Sequence, residues 1–250
     1  MNNNIHVFSD LESLSRAAAE RWAALARHSI AMSGQFHVAL TGGATPQRMY
    51  EYLAQPEYRD RVAWRHVHIY FGDERHVPPE HPDSNFRMAN EALLAHVPIP
   101  PLQIHHIQGE VADATLVAET YAKLLDMHAP KSAEGRVQFD LILLGVGPDG
   151  HIASLFPDTA ILQERTQWAA AVYVEKLHSW RVSITLPVIN YAKHIMMLVA
   201  GAAKADILRQ VFSEDRAGTL LPVQMLKPHG AMEWYLDQAA ASHLPEKGKK

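Results

Sequence analysis

Two glycine-rich turns, each at the end of an apolar run, hold the residues best suited to chemistry. Leu40-Thr41-Gly42-Gly43-Ala44-Thr45-Pro46 follows the apolar segment 36–40, and Gly145-Val146-Gly147-Pro148-Asp149-Gly150-His151 follows 139–144. A strand feeding a glycine turn lets backbone N–H groups approach an anion closely. The second turn adds an acid and an imidazole two residues apart. One turn offers a phosphate site and the other a proton-transfer site, which together suggest an enzyme acting on a small phosphorylated molecule.

At the first turn, Gly42 and Gly43 would present backbone amides, and Thr41 and Thr45 their hydroxyls, at a helix N-terminus. The turn lacks the Gly-Lys-Ser/Thr ending of a P-loop and is not Gly-x-Gly-x-x-Gly. An ordinary tight strand-to-helix turn is the alternative. At the second turn, His151 is the natural proton carrier near neutral pH, and Asp149 can orient its ring and favour the imidazolium. The competing reading is a helix-capping Asp149 beside a structural histidine. The surrounding glycines, which open the backbone around His151, favour the chemical one. Gly72-Asp73-Glu74-Arg75 puts three charges at a strand end. A solvated loop is the commoner home of such a run, and a functional role requires Asp73 or Arg75 to face the same crevice. Arg181, read at the start of a strand, and Lys204, read just beyond a strand at the start of a helix, could each bind phosphate.

The 250 residues are 48% hydrophobic, enough for a sizeable core. A single domain over 1–250 is the default, although the length would permit two. The net charge of -4 calls for neither nucleic acid nor membrane as a partner. With no cysteine, disulfides and thiolate metal sites are excluded, which fits a cytoplasmic protein. The first residues show no basic region followed by an apolar core, so no signal peptide is expected. No apolar run approaches the ~20 residues that span a bilayer. The longest, 195–203, reads as a buried strand running into a helix. Sixteen histidines invite a metal site. However, His28, His66, His81, His96, His128 and His229 are scattered, none stands in a compact ligand spacing, and His105 and His106 would point to opposite faces of a strand. Neither a metal nor an organic cofactor is expected.

The elements that must position these groups alternate. The segment 5–8 is a short apolar opening. Ser9 and Glu12 read as a capping box before a helix over 10–32 that Gly34 closes. Strands are expected at 36–40, 67–71, 104–107, 139–144, 169–174, 182–186 and 194–200. Helices are expected after Pro46, after Ser84, at 111–127 and at 202–212. Near the end, 223–226 reads as an edge strand, 231–236 as a helix, and 246–250 as a mobile tail. Near-continuous apolar strands alternating with helices predict an α/β fold. It would be doubly wound, a mostly parallel sheet with helices on both faces and ligands beyond the carboxyl ends of the strands.

With these residues in order, the chain resembles the 6-phosphogluconolactonase family and the related glucosamine-6-phosphate isomerase/deaminase superfamily. The resemblance rests on the two glycine turns, Gly72-Asp73-Glu74-Arg75-His76-Val77-Pro78, Asp83-Ser84-Asn85-Phe86, Arg181-Val182-Ser183-Ile184-Thr185 and Gly201-Ala202-Ala203-Lys204. The superfamily shares the Gly-x-Asp-Gly-His core. Deaminases are similar to one another in an Asn-Glu-Pro ending after it, whereas Ser154-Leu155-Phe156-Pro157 here is lactonase-like. One position departs: Ala44 stands where the family turn usually has serine, which removes a hydroxyl donor to phosphate but leaves the backbone amides. The resemblance implies a NagB/RpiA-like fold and hydrolysis of 6-phospho-D-glucono-1,5-lactone in the oxidative pentose phosphate pathway. It implies His151 as general base, Asp149 and Asp73 shaping its surroundings, and Arg75 at the oxyanion or the sugar hydroxyls. The phosphate would lie against Thr41, Gly42, Gly43 and Thr45, with Arg181 and Lys204 neutralising it. The partner is then a small phosphorylated sugar lactone, with oligomeric state left open.

Overall fold

The computed structural model describes residues 4–213 and 220–244. Seven parallel strands form the main sheet: β1 (Asn4–Phe8), β2 (Phe36–Leu40), β3 (Val67–Phe71), β5 (Ile104–His105), β6 (Leu141–Leu144), β9 (His194–Val199) and β10 (Ala231–Asp237). Their order is β1-β10-β9-β6-β2-β3-β5. Every residue of β2 and β6 is buried. Because alternate side chains point to opposite sides, both faces of the sheet centre are covered, as continuous apolar strands require. The chain builds outward from β2 through β3 to β5, then resumes on the other side of β2 with β6, β9 and β10. Neighbouring β2 and β6 therefore send their chains in opposite directions, the point where an open α/β sheet leaves a crevice.

The helices are α1 (Leu11–Ser33), α2 (Ala44–Leu53), α3 (Pro56–Arg59), α4 (Asn85–Ala92), α5 (Ala114–His128), α6 (Leu186–Tyr191) and α7 (Ala205–Val211). Helix α1 ends at Gly34 with φ 83°, the left-handed position that glycine adopts without a Cβ penalty. Its N-cap is Asp10, which accepts from the Ser13 amide at 2.7 Å, one residue later than the expected capping box. Trp22 of α1 stacks on Trp64 and meets Phe36 edge-on, forming an aromatic wall of the core. Tyr121 of α5 spans to β3, donating to the Phe71 carbonyl and accepting from its amide.

Several expectations fail, each for a tertiary reason. The segment expected to be helical at 231–236 is strand β10, inserted between β1 and β9. Its Met, Glu and Leu favour helix locally, but only an extended chain fits that slot, and Arg21 meets the buried Glu233 at 3.0 Å. The proposed edge strand at 223–226 is a 3-10 turn, Pro222–Met225, in which the Gln224 side chain accepts from the Leu221 amide. Strands β7 (Ala169–Val174) and β8 (Ser179–Ile184) do not join the main sheet. With β4 (Asp73–Arg75) they form a separate antiparallel sheet, β4-β8-β7. The four residues between β7 and β8 are too few for a parallel crossover and suit a hairpin. Arg181 therefore sits inside β8 rather than at its start, and the strand expected to run to Leu186 ends at Ile184, with Leu186 opening helix α6. The tail at 246–250 lies outside the described residues.

Candidate active site

Both glycine turns leave adjacent strands at the sheet's switch point. The first leaves β2 and becomes the N-terminus of α2, with Gly43 as N-cap at φ 107° and no side chain capping it. The Thr41 backbone is tied down by the buried Tyr50 hydroxyl, which accepts from its amide and donates to its carbonyl. The amides that open α2 are thus held at the mouth of a cavity of about 470 Å³. Gly42 has no room for a side chain, since a Cβ there would meet Asn85 Oδ1 at 1.9 Å.

The second turn leaves β6. Gly147 donates to the His151 carbonyl at 2.9 Å and accepts from the Gly150 amide at 3.0 Å, folding the turn back on itself. No helix follows, so Asp149 caps none. Its Oδ1 lies 2.5 Å from His151 Nδ1, and its other oxygen meets the Lys176 ammonium. Burial would raise the Asp149 pKa, but the contacts with Lys176 and His151 carry it down to about 2. An ionised carboxylate only accepts, so Nδ1 carries the proton and Nε2 is the basic nitrogen of the neutral ring. Burial pushes the imidazole pKa below its ordinary value, against the pull of Asp149 and Asp73. Phe156 stacks on the ring with centroids 4.0 Å apart, and Gly147 leaves the space the ring occupies.

The charge run after β3 is not a solvated loop. Asp73 and Glu74 are buried in β4. Glu74 faces away from the chemistry, accepting from the amides of Arg75, Asn85 and Phe86 and fastening the start of α4. Asp73 lines the cavity, accepting from Ser154 Oγ at 2.7 Å and from Asn85 Nδ2 at 3.3 Å. Arg75 pairs in register with Arg181 on β8, and both line the same cavity. Burial, and next the charge of Arg75, push the Arg181 pKa down. Two like charges side by side on neighbouring strands repel unless an anion joins them. Lys204 extends from the turn after β9, its Nζ 2.8 Å from the Val146 carbonyl, and burial lowers its pKa.

Nine of the ten residues expected from the sequence line this one cavity: Thr41, Gly42, Gly43, Thr45, Asp73, Arg75, His151, Arg181 and Lys204. The tenth, Asp149, stands behind His151. Asn85, Ser154, Phe156 and Leu177 also line it and escaped assignment as site residues. The first three lie inside motifs that were legible as motifs, whereas Leu177 arrives on a hairpin with no local signal. Among the described residues, no group of three or more histidines, cysteines or carboxylates is placed to hold a metal ion. No helix among them is long and apolar enough to cross a membrane.

The chain is similar to known proteins in both sequence and fold. The family model described as glucosamine-6-phosphate isomerases/6-phosphogluconolactonase matches residues 9–234. A 6-phosphogluconolactonase of Synechocystis sp. is 40% identical over 216 residues, covering 86% of this chain and 88% of the relative. A 6-phosphogluconolactonase of Haemophilus influenzae is 35% identical, covering 83% and 87%. The solved 6-phosphogluconolactonase of Trypanosoma brucei superposes with a TM-score of 0.87 at 27% identity, covering 98% of this chain and 99% of that one.

Proposed function

The chain belongs to the glucosamine-6-phosphate isomerase/6-phosphogluconolactonase family, and from that premise we propose that it hydrolyses 6-phospho-D-glucono-1,5-lactone to 6-phospho-D-gluconate. It is a carboxylic ester hydrolase of the oxidative pentose phosphate pathway, working as one unit in the cytoplasm. The observation that carries this reading is the meeting, in one cavity, of an oriented neutral imidazole with a cationic, amide-lined pocket. The first is what water needs to attack a lactone, and the second is what a phosphate needs.

Nε2 of His151 takes a proton as water attacks C1, and the lactone carbonyl becomes an oxyanion. Arg75, a fixed cation lining the cavity, stabilises that charge. Collapse of the intermediate breaks the bond from C1 to the ring oxygen. His151 returns its proton to that oxygen, which leaves as the C5 hydroxyl, and the new carboxylic acid ionises. Asp149 stabilises the transient imidazolium. Asp73, tied to Ser154 and Asn85, shapes the floor beside the ring. The phosphate lies against the amides after Gly43 and the hydroxyls of Thr41 and Thr45, with Arg181 and Lys204 neutralising it.

Ring-opening deamination is the neighbouring chemistry of the family. Among the described residues, Asp73 is the one acidic side chain lining the cavity. The position before Pro157, where a deaminase-like Asn-Glu-Pro ending would put its glutamate, holds Phe156, which packs on His151. The test offers the protein the lactone and, separately, glucosamine 6-phosphate. Accelerated lactone opening without ammonia release is expected; ammonia release without lactone opening would overturn the reading.

A further inference from the structure

The hairpin joining β7 to β8 reaches the proton-transfer end of the cavity and brings an ammonium that the scheme above leaves unused. Resting on that lactonase reading, we propose that Lys176 is a positioning residue that fixes Asp149 behind His151 and keeps the imidazole in its neutral, basic form.

Lys176 occupies the 3-10 turn Glu175–Leu177, which His178 closes in the left-handed conformation at φ 45°. Its neighbour Leu177 lines the cavity, so the hairpin tip is part of the site wall. The ammonium pairs with Asp149 Oδ2 while His151 Nδ1 holds Oδ1, so the carboxylate is anchored through both oxygens. The same ammonium lies 4.9 Å from the centre of the Phe156 ring, which in turn stacks on the imidazole. Lys176 therefore touches both groups that hold His151, the carboxylate at its edge and the ring at its face.

Its charge acts in one direction. Burial disfavours the imidazolium; Asp149 and Asp73 favour it, and Lys176 opposes them. Asp149 faces His151, Lys176 and Lys204. Without Lys176, the direct repulsion disappears and the Asp149 charge acts on His151 with only Lys204 left to share it. The imidazole then holds its proton to higher pH. Lys176 is about half exposed, so water screens part of the effect.

The experiment follows the His151 ring by NMR titration in the wild type, Lys176→Met and Lys176→Arg, with its signal assigned by its absence in His151→Gln. Methionine keeps the apolar stem over Phe156 and removes the charge. In Lys176→Met the midpoint should rise by roughly 0.5 to 1 pH unit, and Lys176→Arg should restore it. The acid limb of kcat/KM for the lactone should move with it, so that activity below that limb drops by roughly three- to tenfold. An unmoved midpoint in Lys176→Met overturns the proposal, including the case where kcat falls equally at every pH. A wild-type protein that does not open the lactone would overturn the function instead, while the titration still decides the role of Lys176.

Discussion

Replacing Gly147 by alanine perturbs the ring of His151, the proposed general base, without substituting that residue. A Cβ at Gly147 would lie 2.0 Å from both Cε1 and Nδ1 of His151 and 2.7 Å from Nε2. Ordinary contact begins near 3.4 Å, so the ring must retreat by about 1.4 Å. Gly147 is not among the glycines with positive φ, so alanine costs nothing in backbone strain there. The whole effect falls on the imidazole. A shift of that size ends the 2.5 Å contact with Asp149 or unstacks the ring from Phe156. Misplacement of a reacting group by ~1 Å costs on the order of 100-fold in rate. Gly147→Ala should therefore lower kcat/KM by about 100-fold, with a thermal midpoint close to wild type because the displaced ring can turn toward water. Initial rates of lactone hydrolysis, less the spontaneous rate, and a melting curve measure both. A variant that melts like the wild type and retains kcat/KM within about threefold, well short of the expected loss, would refute the placement of the base.

Other outcomes follow from the same geometry. Because burial lowers the His151 pKa, kcat/KM should rise with pH through a midpoint below the ordinary imidazole value of 6.5 and stay level above it; a midpoint above that value would contradict the assignment. Lys204→Met and Arg181→Gln should each raise KM for the phosphorylated lactone by about 10- to 100-fold, the worth of a charged hydrogen bond, with little change in kcat. Neither should affect KM for unphosphorylated gluconolactone, which steady-state kinetics on the two substrates would check. Glu74→Ala leaves three amides without their acceptor and should cost about 2–4 kcal/mol in urea unfolding, since buried donors left unpaired are expensive. A loss below about 0.5 kcal/mol would show that water replaces the carboxylate readily.

The mostly parallel α/β sheet and the gathering of the candidate residues at one cavity were legible in the sequence; the pairing of several strands was not. Glycine before a proton carrier, and glycine before a helix, are local signals, because the demand for close backbone approach is local. They led to β2 and β6, whose adjacency at the switch point follows from parallel topology. What a strand pairs with is not local. Segment 231–237 has helix-forming residues and becomes a strand only because β1 and β9 leave a slot between them. The hairpin of β7 and β8 hid for the same reason, and with it the approach of Lys176 to Asp149, 27 residues away in sequence. Charge runs mislead in a further way: Glu74 reads as solvated until Asn85, Phe86 and Arg75 supply the amides that let it be buried.

The most direct test of the central claim is the hydrolysis rate of freshly generated 6-phospho-D-glucono-1,5-lactone with the wild type and with His151→Gln, each corrected for the uncatalysed reaction. The wild type should accelerate ring opening. His151→Gln should lose about 100- to 10,000-fold in kcat, the usual worth of a general base, with an unchanged circular dichroism spectrum. A folded His151→Gln protein that turns the lactone over at the wild-type rate would contradict the account.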